Sequence, residues 1–153
     1  MACPFFMAVE RLENGEWLHA ARLPLGGGWS GHCTAPGHEG EVPSQEALRE
    51  FCNLGYAAEC GRLPREREWD SVRFGAKVLR GDERSLGAEW IQLRYICERD
   101  HRPARDGFLE FEMSEARWKQ KHPDPRVQRM AECFLESWLE KKKLQSVKVA
   151  AAS

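Results

Sequence analysis

No stretch of this chain reaches the roughly eighteen continuous apolar residues that a bilayer span requires, and neither sign of charge is in excess. Its 23 Lys and Arg stand against 24 Asp and Glu, a formal net charge of −1. The first absence predicts a soluble chain with no membrane contact. The second excludes the basic footprint of a protein that binds duplex nucleic acid; only Lys141, Lys142 and Lys143 form a like-charged run. The opening Met1-Ala-Cys-Pro-Phe-Phe-Met-Ala-Val9 has no basic residue before its apolar part and no cleavage-site context, so it reads as mature protein rather than an export signal. There is no internal repeat, no phosphate-binding glycine loop and no pairing of acid and base specific enough to name a reaction.

What the chain does have is cysteine, six in 153 residues. A small secreted domain would use six thiols as three disulfides, but 42% hydrophobic content is enough to build a core without them. With no export signal, a cytoplasmic setting with free thiols is expected. Four of the six, Cys3, Cys33, Cys52 and Cys60, fall in the first 60 residues, and Cys97 and Cys133 lie in segments with regular periodicity.

The periodicities predict an α+β fold. Glu13-Asn14-Gly15-Glu16 is a hairpin signal between two short extended pieces within Phe5–Leu18. Residues 23–40 are rich in Gly and Pro and read as a long loop. Ser44 is placed to cap a short helix carrying Ala47, Leu48, Phe51 and Cys52 on its apolar side, and Gly55 is placed to end it. From Val72 the period becomes two: residues 72–79, 90–98 and 108–113 read as three antiparallel strands, with 80–87 and the basic segment 99–105 as hairpin loops. Asp124-Pro125 opens a final helix whose stripe is Val127, Met130, Ala131, Phe134 and Trp138. The expected organisation is one domain over 1–143, with a cysteine-bearing loop and helix half (1–64) and an antiparallel sheet of three or more strands packed by the C-terminal helix (70–143). Residues 144–153 are expected to fray.

The spacing of the four N-terminal cysteines carries the functional expectation. They have 29, 18 and 7 residues between successive members, so no pair forms the tight knuckle from which structural zinc sites build half their tetrahedron. A four-iron, four-sulfur (4Fe-4S) cluster takes one thiolate at each corner and accepts single cysteines from separate segments. A continuous helix would carry Cys60 about 12 Å along the axis from Cys52 at about 1.5 Å per residue, so the chain has to turn between them. Pro4 stiffens the segment of Cys3, and glycines around Cys33 let backbone N–H groups turn toward its sulfur. His32 and His38 are possible substitute ligands, and Trp29 is placed to cover the centre. Arg62 and the basic residues after it are placed to shield a cluster or to meet an acidic partner.

Three segments, Met1-Ala-Cys-Pro-Phe-Phe6, Trp29-Ser-Gly-His-Cys33 and Cys52-Asn-Leu-Gly-Tyr-Ala-Ala-Glu-Cys60, together with Asp70-Ser-Val-Arg-Phe74, resemble a family of bacterial proteins. That family carries Cys-Pro-[Phe/Tyr]-Phe and Cys-Asn-Leu-Gly-Tyr signatures. The likeness extends to Met130-Ala-Glu-Cys-Phe-Leu-Glu-Ser137. It brings no activity with it. It implies that Cys3, Cys33, Cys52 and Cys60 form one signature, and it leaves Cys97 and Cys133 outside.

Three functions remain open on the sequence. The favoured one is a small iron-sulfur protein for electron transfer or redox sensing with a protein partner. The second is a zinc-stabilised interaction module that uses the same thiols, and the third is a cysteine-dependent enzyme using Cys33 or Cys60. Cys97 reads as a small buried residue sharing a strand face with Ile91, Leu93 and Tyr95. Cys133 reads as partly exposed packing beside the helix stripe, and His19, His101 and His122 read as surface histidines.

Overall fold

Alternation of apolar and polar side chains from Ser71 onward produces the main sheet. In the computed structural model, which describes residues 1–12, 17, 23–54, 59–81 and 88–153, two strands come first, β1 (Phe6–Arg11) and β2 (Trp29–Cys33). The helix α1 (Gln45–Ala47) follows and runs into a π turn, Leu48–Cys52. Then come β3 (Ser71–Arg80), β4 (Glu89–Arg99), β5 (Arg102–Glu112), β6 (Arg117–Gln120) and the helix α2 (Pro125–Ala152). β3 to β6 form a four-stranded antiparallel sheet in chain order, and β1 pairs with β2 in a separate two-stranded sheet. The fold is α+β, as expected. The Asn14-Gly15 hairpin signal, Leu18, His19, Gly55 and residues 82–87 lie outside the described residues.

One face of the larger sheet is apolar and lies under α2. Ile91, Leu93 and Leu109 pack there with Ala131 and Leu135, flanked by Phe74, Tyr95, Phe111 and Trp118. A second cluster joins the N-terminal half to this layer, with Ala2, Cys3, Phe6, Trp29 and Leu48 packed together with Val72, Cys97, Val127, Met130 and Cys133. The backbone ties the same junction. Ala2 N–H donates to Val72 O at 2.8 Å, and Val72 N–H donates back to Ala2 O at 2.9 Å.

Several expectations are corrected. The long loop contains β2, a strand short enough for its Ser-Gly-His centre. Gly31 is required in it, because a Cβ there would lie 2.0 Å from Met7 O on β1. The basic segment 99–105 is mostly strand, since Asp100 and His101 take φ of 51° and 60° and turn the chain in two residues. Asp70, buried at the end of β3, accepts from Asp100 N–H at 2.9 Å and holds that turn. β6 was not expected. The helix does not fray at Lys143: α2 continues to Ala152, with residues 142–153 fully on the surface. Its start is as expected, with the Asp124 carboxylate accepting from Arg126 N–H at 2.8 Å. His122 is buried rather than exposed; its Nδ1 accepts from Asp124 N–H at 3.0 Å and its ring meets the edge of Tyr95. Burial lowers its pKa, so the ring stays neutral. Among the described residues no helix is long and apolar enough to cross a membrane.

Cys97 is fully buried on the inner face of β4, and Cys133 is fully buried under α2 rather than partly exposed. Burial pushes both thiols up to about 12 from an ordinary value of 9.0. The folded state therefore holds them protonated where the unfolded chain ionises them. That stabilisation is complete below pH 9 and is lost as pH rises from about 9 to 12. Thermal melts across this window should show a falling midpoint, and Cys97→Ala should flatten the fall. A slope unchanged in Cys97→Ala would show that this thiol does not titrate with unfolding.

Candidate metal centre

Four separate segments bring Cys3, Cys33, Cys52 and Cys60 to the lining of a single cavity. Cys3 sits in the N-terminal turn, where its N–H donates to Cys52 O at 3.2 Å and its carbonyl accepts from Phe6 N–H at 3.1 Å. Cys33 ends β2. Its N–H donates to Glu41 O at 2.8 Å, and its carbonyl accepts from Gly40 N–H at 2.9 Å, so the loop after it folds back on the strand. Gly40 makes that return with φ of 82°. Ala35 N–H then lies 3.4 Å from Cys33 Sγ.

Cys52 is the last residue of the π turn. The Ser44 hydroxyl caps the helical segment by accepting from Ala47 N–H at 3.1 Å. Asn53 N–H closes the wide turn on Leu48 O at 3.0 Å. Widened turns of this kind recur at functional sites because they rotate one side chain out of helical phase. Cys60 follows on a turn of its own, closed by Leu63 N–H donating to Cys60 O at 3.1 Å. Cys52 and Cys60 both line the cavity, and residues 55–58 between them, where a reversal was expected, lie outside the described residues.

The remaining lining is apolar, from Phe5, Phe6, Ala35, Pro43, Ala47, Phe51 and Leu63, with Arg62 at one side. Burial is therefore the first cause acting on the thiols. It pushes Cys3 up to about 12, opposed by the Phe5 N–H and reinforced by the nearby Cys60 and Cys33. Burial likewise pushes Cys52 up to about 12, reinforced by Cys3, Cys60 and Cys33 and opposed by the Arg62 charge. These mutual effects mean that the four sulfurs lie within electrostatic reach of one another. A cation or a cationic cluster would remove that penalty by taking up the thiolate charge and releasing the protons.

The space between the thiols is small, about 20 Å³, room for about one water. The fit to a metal centre therefore lies in the donor set: four thiols, the Ala35 N–H beside Cys33 Sγ, and a mostly apolar lining. Among the described residues no group of three or more His, Cys, Asp or Glu side chains closes to the distances of a single bound ion.

Three residues expected near the centre are elsewhere. His32 alternates to the opposite side of β2 from Cys33, and it does not line the cavity. His38 pairs with Glu41 at 3.0 Å near the surface. Trp29 is buried in the core with Arg129 over its ring at 5.8 Å, and Phe5, Phe6 and Phe51 cover the thiols instead. The residue that sequence reasoning missed is Asn53. It is fully buried, and its side chain accepts from Trp29 N–H at 2.9 Å while donating to Trp29 O at 2.8 Å and Leu48 O at 3.1 Å. A polar residue directly after a cysteine at the end of an apolar helical face was the available signal.

Compared with protein-family models, with curated proteins and with solved structures, the chain has no significant match.

Proposed function

We propose that Cys3, Cys33, Cys52 and Cys60 hold a 4Fe-4S cluster and that the protein exchanges single electrons with a protein partner or senses redox state. The observation that carries this reading is that four thiols from four separate segments line one apolar cavity. The Ala35 N–H, 3.4 Å from Cys33 Sγ, supports it, because such a bond stabilises thiolate charge in a largely apolar lining. The resemblance noted for the sequence treats the same four cysteines as one unit. All six cysteines are free, which accords with a cytoplasmic, reducing setting.

When bound, the cluster supplies a site that gains and loses one electron without breaking a bond. The chain supplies the thiolates, the N–H donors and the exclusion of water. The same ligand set also serves a zinc-stabilised interaction module, and composition separates the two. Protein purified without oxygen should contain iron and acid-labile sulfide in near-equal amounts, with broad absorption in the brown region. One zinc per chain and no colour would overturn the redox reading in favour of the module. Neither metal would return the thiols to the core.

A further inference from the structure

Among the described residues lining the cysteine cavity, one carries a charge. Arg62, two residues past Cys60, reaches across to the loop that follows Cys33. Its Nε lies 3.2 Å from Glu41 Oε2. Glu41 is itself fixed, since its backbone carbonyl accepts from Cys33 N–H at 2.8 Å and its second carboxylate oxygen lies 3.0 Å from His38 Nδ1. The guanidinium is thus tied between the segments of two cysteines, with its side chain one-third exposed at 33%. In that position its charge already acts on Cys52.

Building on the cluster reading, we propose that Arg62 sets the reduction potential of the centre, and that the Glu41 carboxylate beside it offsets part of its charge. The physical argument is one of charge balance. Reduction adds one electron from a one-electron donor; no bond forms or breaks, and no proton need be taken up. The centre, already negative through its four thiolates, becomes more so. A fixed cation at the cavity wall stabilises the reduced form more than the oxidised form, and the apolar lining leaves that interaction poorly screened. Removing the carboxylate of Glu41 acts in the opposite sense.

The test is a redox titration of the full chain with its cluster in place, using dithionite as the electron donor and following visible absorption and the electron spin resonance signal. Arg62→Gln should shift the midpoint potential to more negative values. Arg62→Lys should return it close to wild type, and Glu41→Gln should move it the other way. Iron and sulfide content is measured on each sample. Arg62→Gln with full iron and sulfide and a wild-type potential would overturn the proposal. If Arg62→Gln fails to hold the cluster, Glu41→Gln decides by its sign, and a zero or negative shift overturns it. Wild-type protein without iron and sulfide would defeat the cluster reading itself, a result that metal analysis separates from a failure of Arg62 to tune it.

Discussion

Cys3→Ala and Cys33→Ala are each expected to strip iron, sulfide and visible absorption from the purified protein, while Cys97→Ala keeps all three. The two proposed ligands lie on different elements, the N-terminal turn and the end of β2, and both line the cavity. Outer partners of a metal site are worth about 10–100-fold in affinity, so deletion of a ligand should weaken retention by more than about 100-fold. Cys97 is the matched control. It is as buried as Cys3, at 0% against 7% exposure, and packs in the same hydrophobic cluster, yet it does not line the cavity. Both replacements remove one sulfur from a packed interior and should carry similar stability losses, on the order of 1–2 kcal/mol. Colour lost from Cys3→Ala but kept in Cys97→Ala therefore reports ligation rather than folding. Cluster retained in both Cys3→Ala and Cys33→Ala would sink the ligand assignment.

The parts of this fold that were legible in the sequence are those fixed by periodicity and local chemistry. Val72, Phe74 and Ala76 alternate with Arg73, Gly75 and Lys77, and the strand pairs in even register with β4, from Ser71 opposite Glu98 to Arg80 opposite Glu89. Asp124 and Pro125 announce the start of α2. Its end was not legible, because residues 141–152 contain no Gly or Pro and the alanines at 150–152 are strong helix formers that extend the helix although they are exposed. The turn at Asp100-His101 escaped notice because the left-handed conformation was assigned to residues other than the usual Asn-Gly pair. β6 is visible only through its partner: Trp118 lies opposite Phe111 and meets its ring edge-on, a contact no four-residue window contains. At the candidate site, the clustering of Cys3, Cys33, Cys52 and Cys60 in the first 60 residues pointed to the four side chains that line one cavity. The surroundings were not legible. Which N–H groups face sulfur, and that Trp29 packs away from the thiols, depend on how β2 crosses β1.

Asn53→Ala should cause the largest loss of stability of any single polar replacement in the N-terminal half. The Asn53 side chain works as a short strand, meeting both the N–H and the carbonyl of Trp29 and holding β2 against the end of the π turn. Alanine leaves the Trp29 N–H and carbonyl in a dry interior without these partners, at about 1–3 kcal/mol for each group. Leu48 O suffers less, because it keeps its bond from Asn53 N–H. The total is roughly 2–6 kcal/mol, a melting midpoint lower by about 4–24 °C for a chain of this size. Asn53→Asp should be no better, since its carboxylate would face two carbonyl oxygens where the amide donates. The same clamp joins Cys52, one residue away, to the strand that ends in Cys33, so iron and sulfide retention should fall together with the midpoint. A melting midpoint for Asn53→Ala within about 1 °C of wild type would mean that β2 and the π turn hold their positions without it, and that some other contact sets the distance between these two cysteines.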